Sequence, residues 1–356
     1  MLNILDIIFL SLAFMITVTG SLILKYENHM PAFIIKAYKY GSFGYKGSGA
    51  SFLQMIEMPK SYYRHFYVFS SLFSAIALYQ MICVYYLNYN VGEYIIIILR
   101  LLLEVEEPSI CITAAVTAMS LLTIQCWKRL YETYCIQVFA KSSRMNVNHY
   151  LAGIIHYFGC VVAIIGQAPL FTGPKFKNNT WTDTYTSIFI LPCIFIFLWA
   201  SYEQFKTNLI FANLRKDKKS NKLVTEDHGV PFGRLFKFVS SPHRMCEVIM
   251  YTVLLILVPT KTFFCIYLWV ITNQFQTAIQ AHECCNLFIH ALSTLAIING
   301  RFFYYTFLYY ATKVTYFKDT SVSVGGFELV HSVCVTIALP LQHDNLTLRI
   351  PGDPLY

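Results

Sequence analysis

The sequence predicts an all-α, polytopic membrane protein: a bundle of about seven transmembrane helices with a candidate extra span near the C-terminus. Three observations carry this reading. Hydrophobic residue types make up 56% of the 356 residues and charged types only 13%, about half the charged share of an ordinary soluble domain. Apolar runs of about 20 residues, the length that crosses a bilayer, recur along the whole chain. Lys and Arg gather in alternate loops between those runs, as membrane topology demands.

The first run covers 2–24. It has Asp6 and no basic start, so it reads as a retained span rather than a removed leader. Further spans are expected at 65–87, 109–127, 149–171 and 184–204. The runs 246–258 and 262–281 are separated by Pro259-Thr260-Lys261 and read as a tight helical hairpin. The stretch 286–312, with Arg301 as its one charge, is the candidate extra span. Tyr94–Leu103 is too short to cross and carries Arg100, so it is placed at the interface. No internal repeat is visible, and the basic run Lys216–Lys222 is the one low-complexity stretch.

Segments 25–64, 128–148 and 206–245 hold six, four and nine basic residues. The alternating segments 88–108, 173–183 and 259–261 hold four between them: Arg100, Lys175, Lys177 and Lys261. Nineteen against four puts the three basic loops in the cytosol and the N-terminus on the lumenal side. Glu104, Glu106, Glu107 and the sequon Asn178-Asn179-Thr180 fall on that lumenal side.

Several functions are excluded by missing motifs. The eleven cysteines include no CxxC, and Cys284-Cys285 is the one adjacent pair, so neither a disulfide framework nor a metal site is expected. Gly44, Gly47 and Gly49 lack dinucleotide-fold spacing and follow no buried strand. There is no GxxxxGK[ST], no HExxH and no GxSxG. His149 and His156 read as packing or interfacial residues, and no nucleic-acid partner is expected.

Polar residues at membrane depth cost several kcal/mol, on the order of 3, unless partnered, so they mark where chemistry belongs. Gln204, Asn208 and Arg215 share one helical face running from the fifth span into the basic loop. That face suits a ligand carrying both amide and phosphate, although a helix end snorkelling into water has the same pattern. Asn273, Gln276, Thr277, Gln280, His282 and Glu283 form a second stripe, which interhelical hydrogen bonding also explains. Glu57 stands before Pro59 at a membrane entrance. The segment His228–His243 is aromatic, basic and rich in turn residues, and reads as a folded cap rather than a linker. Glu247 follows it at the start of a span.

These residues resemble the steroid 5α-reductase family, specifically its polyprenol reductase branch. The matching stretches are 58–67 (Met-Pro-Lys-Ser-Tyr-Tyr-Arg-His-Phe-Tyr), Lys128-Arg-Leu-Tyr-Glu132, Asn213-Leu-Arg-Lys216, Pro231-Phe-Gly233, Phe238-Val-Ser-Ser-Pro-His243 with Glu247, and Asn273-Gln274 followed by His282. The resemblance covers about residues 45–283, so 1–283 is assigned as the reductase-like domain and 284–356 as an atypical tail. It implies seven helices, NADPH as cofactor, and a cytosol-facing site in the endoplasmic reticulum membrane. It also implies reduction of a carbon–carbon double bond conjugated to a carbonyl.

Hydride addition to an isolated alkene leaves a carbanion, whereas conjugation turns that charge into an enolate oxygen that a protein can stabilise. The expected substrate is therefore long-chain polyprenal, on the route from polyprenol to dolichol and so to protein N-glycosylation. Family roles imply that Glu57 faces the carbonyl and that a tyrosine, Tyr131 or Tyr134, assists it. Gln204, Asn208, Arg215, His228, Glu247, Asn273 and His282 are implied on the cofactor side.

Four departures from the family pattern stand out. Gly229 replaces a basic residue, Arg234 an acidic one and Arg244 an aromatic. The family's aromatic pair and basic tail after the last histidine are replaced by Cys284-Cys285 and residues 286–356. Steroid or enoyl reduction on the same fold, a catalytically impaired splice form, and a seven-helix receptor or channel remain as alternatives. The folded segment 228–243 speaks against the last of these.

Overall fold

The computed structural model describes residues 2–38, 57–105, 108–137, 139, 144–172, 180–215 and 231–298, with the side chains of 36–37, 180–187 and 282–298 excepted. Nine helices and one two-stranded ribbon make up the described residues. The helices are α1 (Ile4–Tyr26), α2 (Ala32–Tyr38), α3 (Tyr63–Tyr86), α4 (Glu93–Leu103), α5 (Ile112–Tyr131), α6 (Val147–Ile165), α7 (Thr180–Asn213), α8 (Pro242–Leu257) and α9 (Lys261–Ile298). The ribbon pairs β1 (Glu57–Pro59) with β2 (Arg144–Asn146), antiparallel, with Glu57 opposite Asn146.

Local chemistry sets the helix ends. Asn3 and Asp6 form a capping box at the start of α1, each side chain receiving the other's backbone N–H. Asn146 caps α6, and Pro242 opens α8, where its missing N–H costs nothing. Thr260 accepts from the backbone N–H of Phe263 at 3.2 Å and starts α9 directly after Pro259, so the expected break between the last two spans is real.

Among the described residues four segments are long and apolar enough to cross a membrane: Ile4–His29, Lys60–Tyr86, Val147–Ile165 and Ile188–Asn213. The sequence places further spans at α5, α8 and α9. α5 carries polar groups because it sits inside the bundle, where Ala115, Ala118, Met119 and Cys126 are fully buried. Around it α3 packs on α5 and α6, α7 on α8, and α1 on α9. The molecule is an all-helical, multi-pass membrane protein. α4 is a short amphipathic helix with Leu99 and Leu103 buried against the bundle and Tyr94, Ile97, Ile98 and Leu101 exposed.

The ends of the helices separate into two sets of contacts. At one end Asn3 donates to the Leu103 carbonyl and to Thr262, and Asp6 pairs with Lys261 at 2.8 Å. Tyr85 donates to the Pro169 carbonyl and Ser109 to Gln167 at that same end. At the other end Arg64 donates to the Thr133 carbonyl, Arg234 to Glu203, and Arg244 to Gln274. The second end carries the polar residues of interest.

Candidate active site

A cavity of about 440 Å³ opens near the second end, between α1, α2, α3, α6, α8 and α9. Leu12, Ile16, Phe33, Ile34, Phe66 and Val270 make it largely apolar. Tyr67, Tyr157, Glu247, Tyr251, Asn273 and Gln274 give it one polar side. Gly153 also lines it. A Cβ there would stand 3.0 Å from the Phe66 ring, so the lack of a side chain keeps α6 close to α3.

Behind the polar side is a buried charge network. α5 ends in a π-helical turn, Glu132–Ile136, that carries the fully buried Glu132 inward; such turns recur at functional sites. Glu132 pairs with Arg129, lies 3.6 Å from Lys128 Nζ, and accepts from Asn208 Nδ2 at 2.9 Å. Arg129 also donates to the Tyr67 hydroxyl, at 3.2 Å from Nε and 2.9 Å from Nη2. The Gln204 carbonyl oxygen accepts from Gln125 (2.8 Å) and Lys128 (2.7 Å). Its amide donates to the His243 carbonyl (3.2 Å) and to Glu247. Two cations, Lys128 and Arg129, thus face two carboxylates, Glu132 and Glu247. Balanced and hydrogen-bonded charge is the form in which buried ionic groups are tolerated.

The sequence-predicted residues divide into several groups. Glu247 and Asn273 line the cavity. Gln204 and Asn208 are buried one layer behind it, with their amides engaged to Glu247 and Glu132. Arg215 lies at the end of α7, and Lys60 sits in the electrostatic field of both Arg215 and Arg244. Glu57 is on the ribbon, opposite Asn146, whose near neighbours Asn148 and His149 line the cavity; Glu57 itself is not among the lining residues. Tyr131 and Tyr134 are more than half exposed, and the Tyr134 ring packs under the Arg64 guanidinium, so neither faces the cavity. His228 and the side chain of His282 lie outside the described residues.

Sequence reasoning missed Tyr67, Tyr157, Arg129 and Glu132 as site residues. A charged triplet at 128, 129 and 132 on a helix this buried was the available signal.

The segment 231–241 is folded, as expected, around one 3₁₀ turn, Arg234–Lys237. Phe236 packs edge-on against Phe211, and the left-handed Arg234 anchors the turn to Glu203. That pairing raises Arg234 above its already high ordinary pKa, so it stays charged. The departures at 234 and 244 therefore have local partners: Arg234 has Glu203, and Arg244 has Gln274 (3.1 Å) and Thr277 (2.8 Å).

A membrane-spanning bundle holding an apolar cavity with one polar side, backed by a buried charge network, has the form of a membrane enzyme that takes an apolar substrate. Comparison with known proteins agrees. Residues 170–287 match the family model described as 3-oxo-5-alpha-steroid 4-dehydrogenase. The polyprenal reductase of Drosophila melanogaster is 32% identical over 291 residues, covering 79% of this chain and 87% of that protein. That of Saccharomyces cerevisiae is 29% identical over 228 residues (64% and 68%). That of Homo sapiens is 24% identical over 238 residues (64% and 72%). The chain belongs to the steroid 5α-reductase family and is a membrane reductase.

Proposed function

We propose that this protein reduces the conjugated carbon–carbon double bond of polyprenal with NADPH. We place its site at the cytosolic face of the endoplasmic reticulum membrane, where the reaction serves dolichol synthesis and through it protein N-glycosylation. The observation that carries the reading is the cavity itself: apolar walls for a polyprenoid chain, ending at Tyr67, Tyr157 and Glu247. The names of the relatives support the substrate.

The residues suit the cofactor. Lys60, Arg215 and Arg244 gather cationic charge at one end, which fits phosphate groups. Glu247 and Asn273 offer an acceptor and an amide for a carboxamide, and Gln204 fixes Glu247 in place. A reduced nicotinamide held there would supply hydride to the β-carbon, and a proton delivered from bulk solvent after hydride transfer would complete the α-carbon, so aldehyde, hydride and proton balance saturated aldehyde and oxidised cofactor. The chain's own residues exclude water with the apolar wall, orient the aldehyde, and hold the charge that develops on its oxygen. Glu57, on the ribbon opposite Asn146, is retained as a carbonyl-side candidate from the family pattern.

The test is turnover of polyprenal by the purified protein in lipid nanodiscs, with NADPH or NADH, the product read by mass spectrometry. Saturation of the α-unit with NADPH preferred is the expected outcome. Reduction of a steroid enone with none of polyprenal would overturn the substrate assignment, and indifference between the two cofactors would overturn the cofactor assignment.

A further inference from the structure

Two phenols face the cavity from neighbouring helices. Tyr67 is in the second turn of α3 and Tyr157 is in the middle of α6; their ring centroids are 5.9 Å apart at 61°. Both side chains are buried and both line the cavity. A phenol oxygen carries two lone pairs and one proton. On Tyr67 the guanidinium of Arg129 supplies two N–H donors to that oxygen, so what the hydroxyl has left to offer is its proton. Among the described residues no acceptor receives that proton, and no hydrogen bond joins the Tyr157 hydroxyl to another described residue. Lining the cavity, the two phenols are placed to donate to a molecule that enters it.

We propose that Tyr67 and Tyr157 together hold the carbonyl oxygen of the unsaturated aldehyde, with Arg129 acting through Tyr67 as a positioning residue. This rests on the reductase reading above. A carbonyl oxygen has two lone pairs, one for each phenol. As hydride adds to the β-carbon, the double-bond electron pair moves onto that oxygen, and the two O–H groups stabilise the enolate while keeping their own protons. The Arg129 N–H groups polarise the Tyr67 hydroxyl and strengthen it as a donor, because hydrogen bonds in a chain reinforce one another. Glu132, Lys128 and Asn208 fix Arg129 from behind. The pair replaces Tyr131 and Tyr134 as the tyrosines on the carbonyl side.

The test is isotope-edited infrared spectroscopy of a short isoprenoid enal, ¹³C-labelled at the aldehyde, bound with oxidised cofactor so that no turnover occurs. In the wild type the carbonyl stretch should lie below its value in detergent micelles. Tyr67→Phe and Tyr157→Phe should each move it part of the way back. Each should also lower kcat by about 100-fold, the usual loss for one oxyanion donor, with little change in the KM for NADPH. Arg129→Lys should retain part of the rate and alter its pH profile. If Tyr67→Phe does not fold, 3-fluorotyrosine at position 67 has nearly the same shape and a stronger donor, and should lower the stretch further. A stretch unmoved by either phenylalanine or by the fluorotyrosine, in protein that still reduces the aldehyde, overturns the pair and leaves the reductase reading standing. Wild-type protein that binds NADPH yet reduces no enal overturns both.

Discussion

Glu132 shows how much one residue holds in place. Its carboxylate is fully buried and is shared by Arg129, Lys128 and Asn208. Removing one member of such a group leaves uncompensated buried charge, which costs about 3–5 kcal/mol. Glu132→Gln should therefore lower stability by roughly that amount, read as denaturant unfolding in detergent against the wild type; a loss under about 1 kcal/mol would mean that the network is solvated. At the cationic end, Arg215→Ala should raise the KM for NADPH about tenfold, one lost charge-assisted contact, and leave that for polyprenal nearly unchanged. An equal rise in both would remove Arg215 from the cofactor site. Asn273 stood out in the sequence as a polar residue inside an apolar run, and Glu247 as a charge at the start of one; both line the cavity. Helical phase explains why Tyr131 and Tyr134 stand away from the cavity. With Lys128, Arg129 and Glu132 turned inward, residues 131 and 134 fall on the opposite face. Tyr157 gave no signal, because a tyrosine in a span of this composition looks like packing.

At the scale of the element, close packing decides what the sequence tolerates. Gly159 of α6 meets the Phe9 ring of α1, and a Cβ there would lie 2.4 Å from it. Small residues let membrane helices approach in this way. Gly159→Ala should push Phe9 out of its fully buried position and cost about 1–3 kcal/mol, visible as a lower melting temperature in detergent. An unchanged melting temperature would mean that α1 shifts freely. Helix existence and the break at Pro259 were readable from apolar runs and from proline's missing N–H. The ribbon was not, since three residues per strand give no periodicity to read. Helix ends were also displaced: the expected 184–204 is Thr180–Asn213, because the polar face bearing Gln204 and Asn208 stays helical when it is buried against α5 and α8.

The whole molecule unites two independent facts, the charge of the loops and the sorting of the helix ends. The nineteen-to-four distribution assigns 25–64, 128–148 and 206–245 to one side of the membrane. At the second end Arg64 with Thr133 and the ribbon pairing of Glu57 with Asn146 join the first two of those segments, and Arg234 of the third is held to Glu203 at the end of the fifth span. Contacts at the first end join Leu103 with Asn3, Arg100 with Thr172 and Lys261 with Asp6. Such agreement requires an even alternation of spans, and the cavity near the second end then lies on the side of the basic loops. Soluble NADPH is cytosolic in supply if the site faces the cytosol, and a site on the other face would defeat the proposed function however good its geometry. Cys135 is exposed at the second end and supplies a natural reporter. In sealed microsomes a membrane-impermeant maleimide should label Cys135 from outside, whereas Asn90→Cys, in the exposed loop before α4, should be labelled only after detergent is added. Peptide mapping by mass spectrometry distinguishes the two positions. The reverse pattern would invert the protein in the membrane and remove the cofactor from its reach.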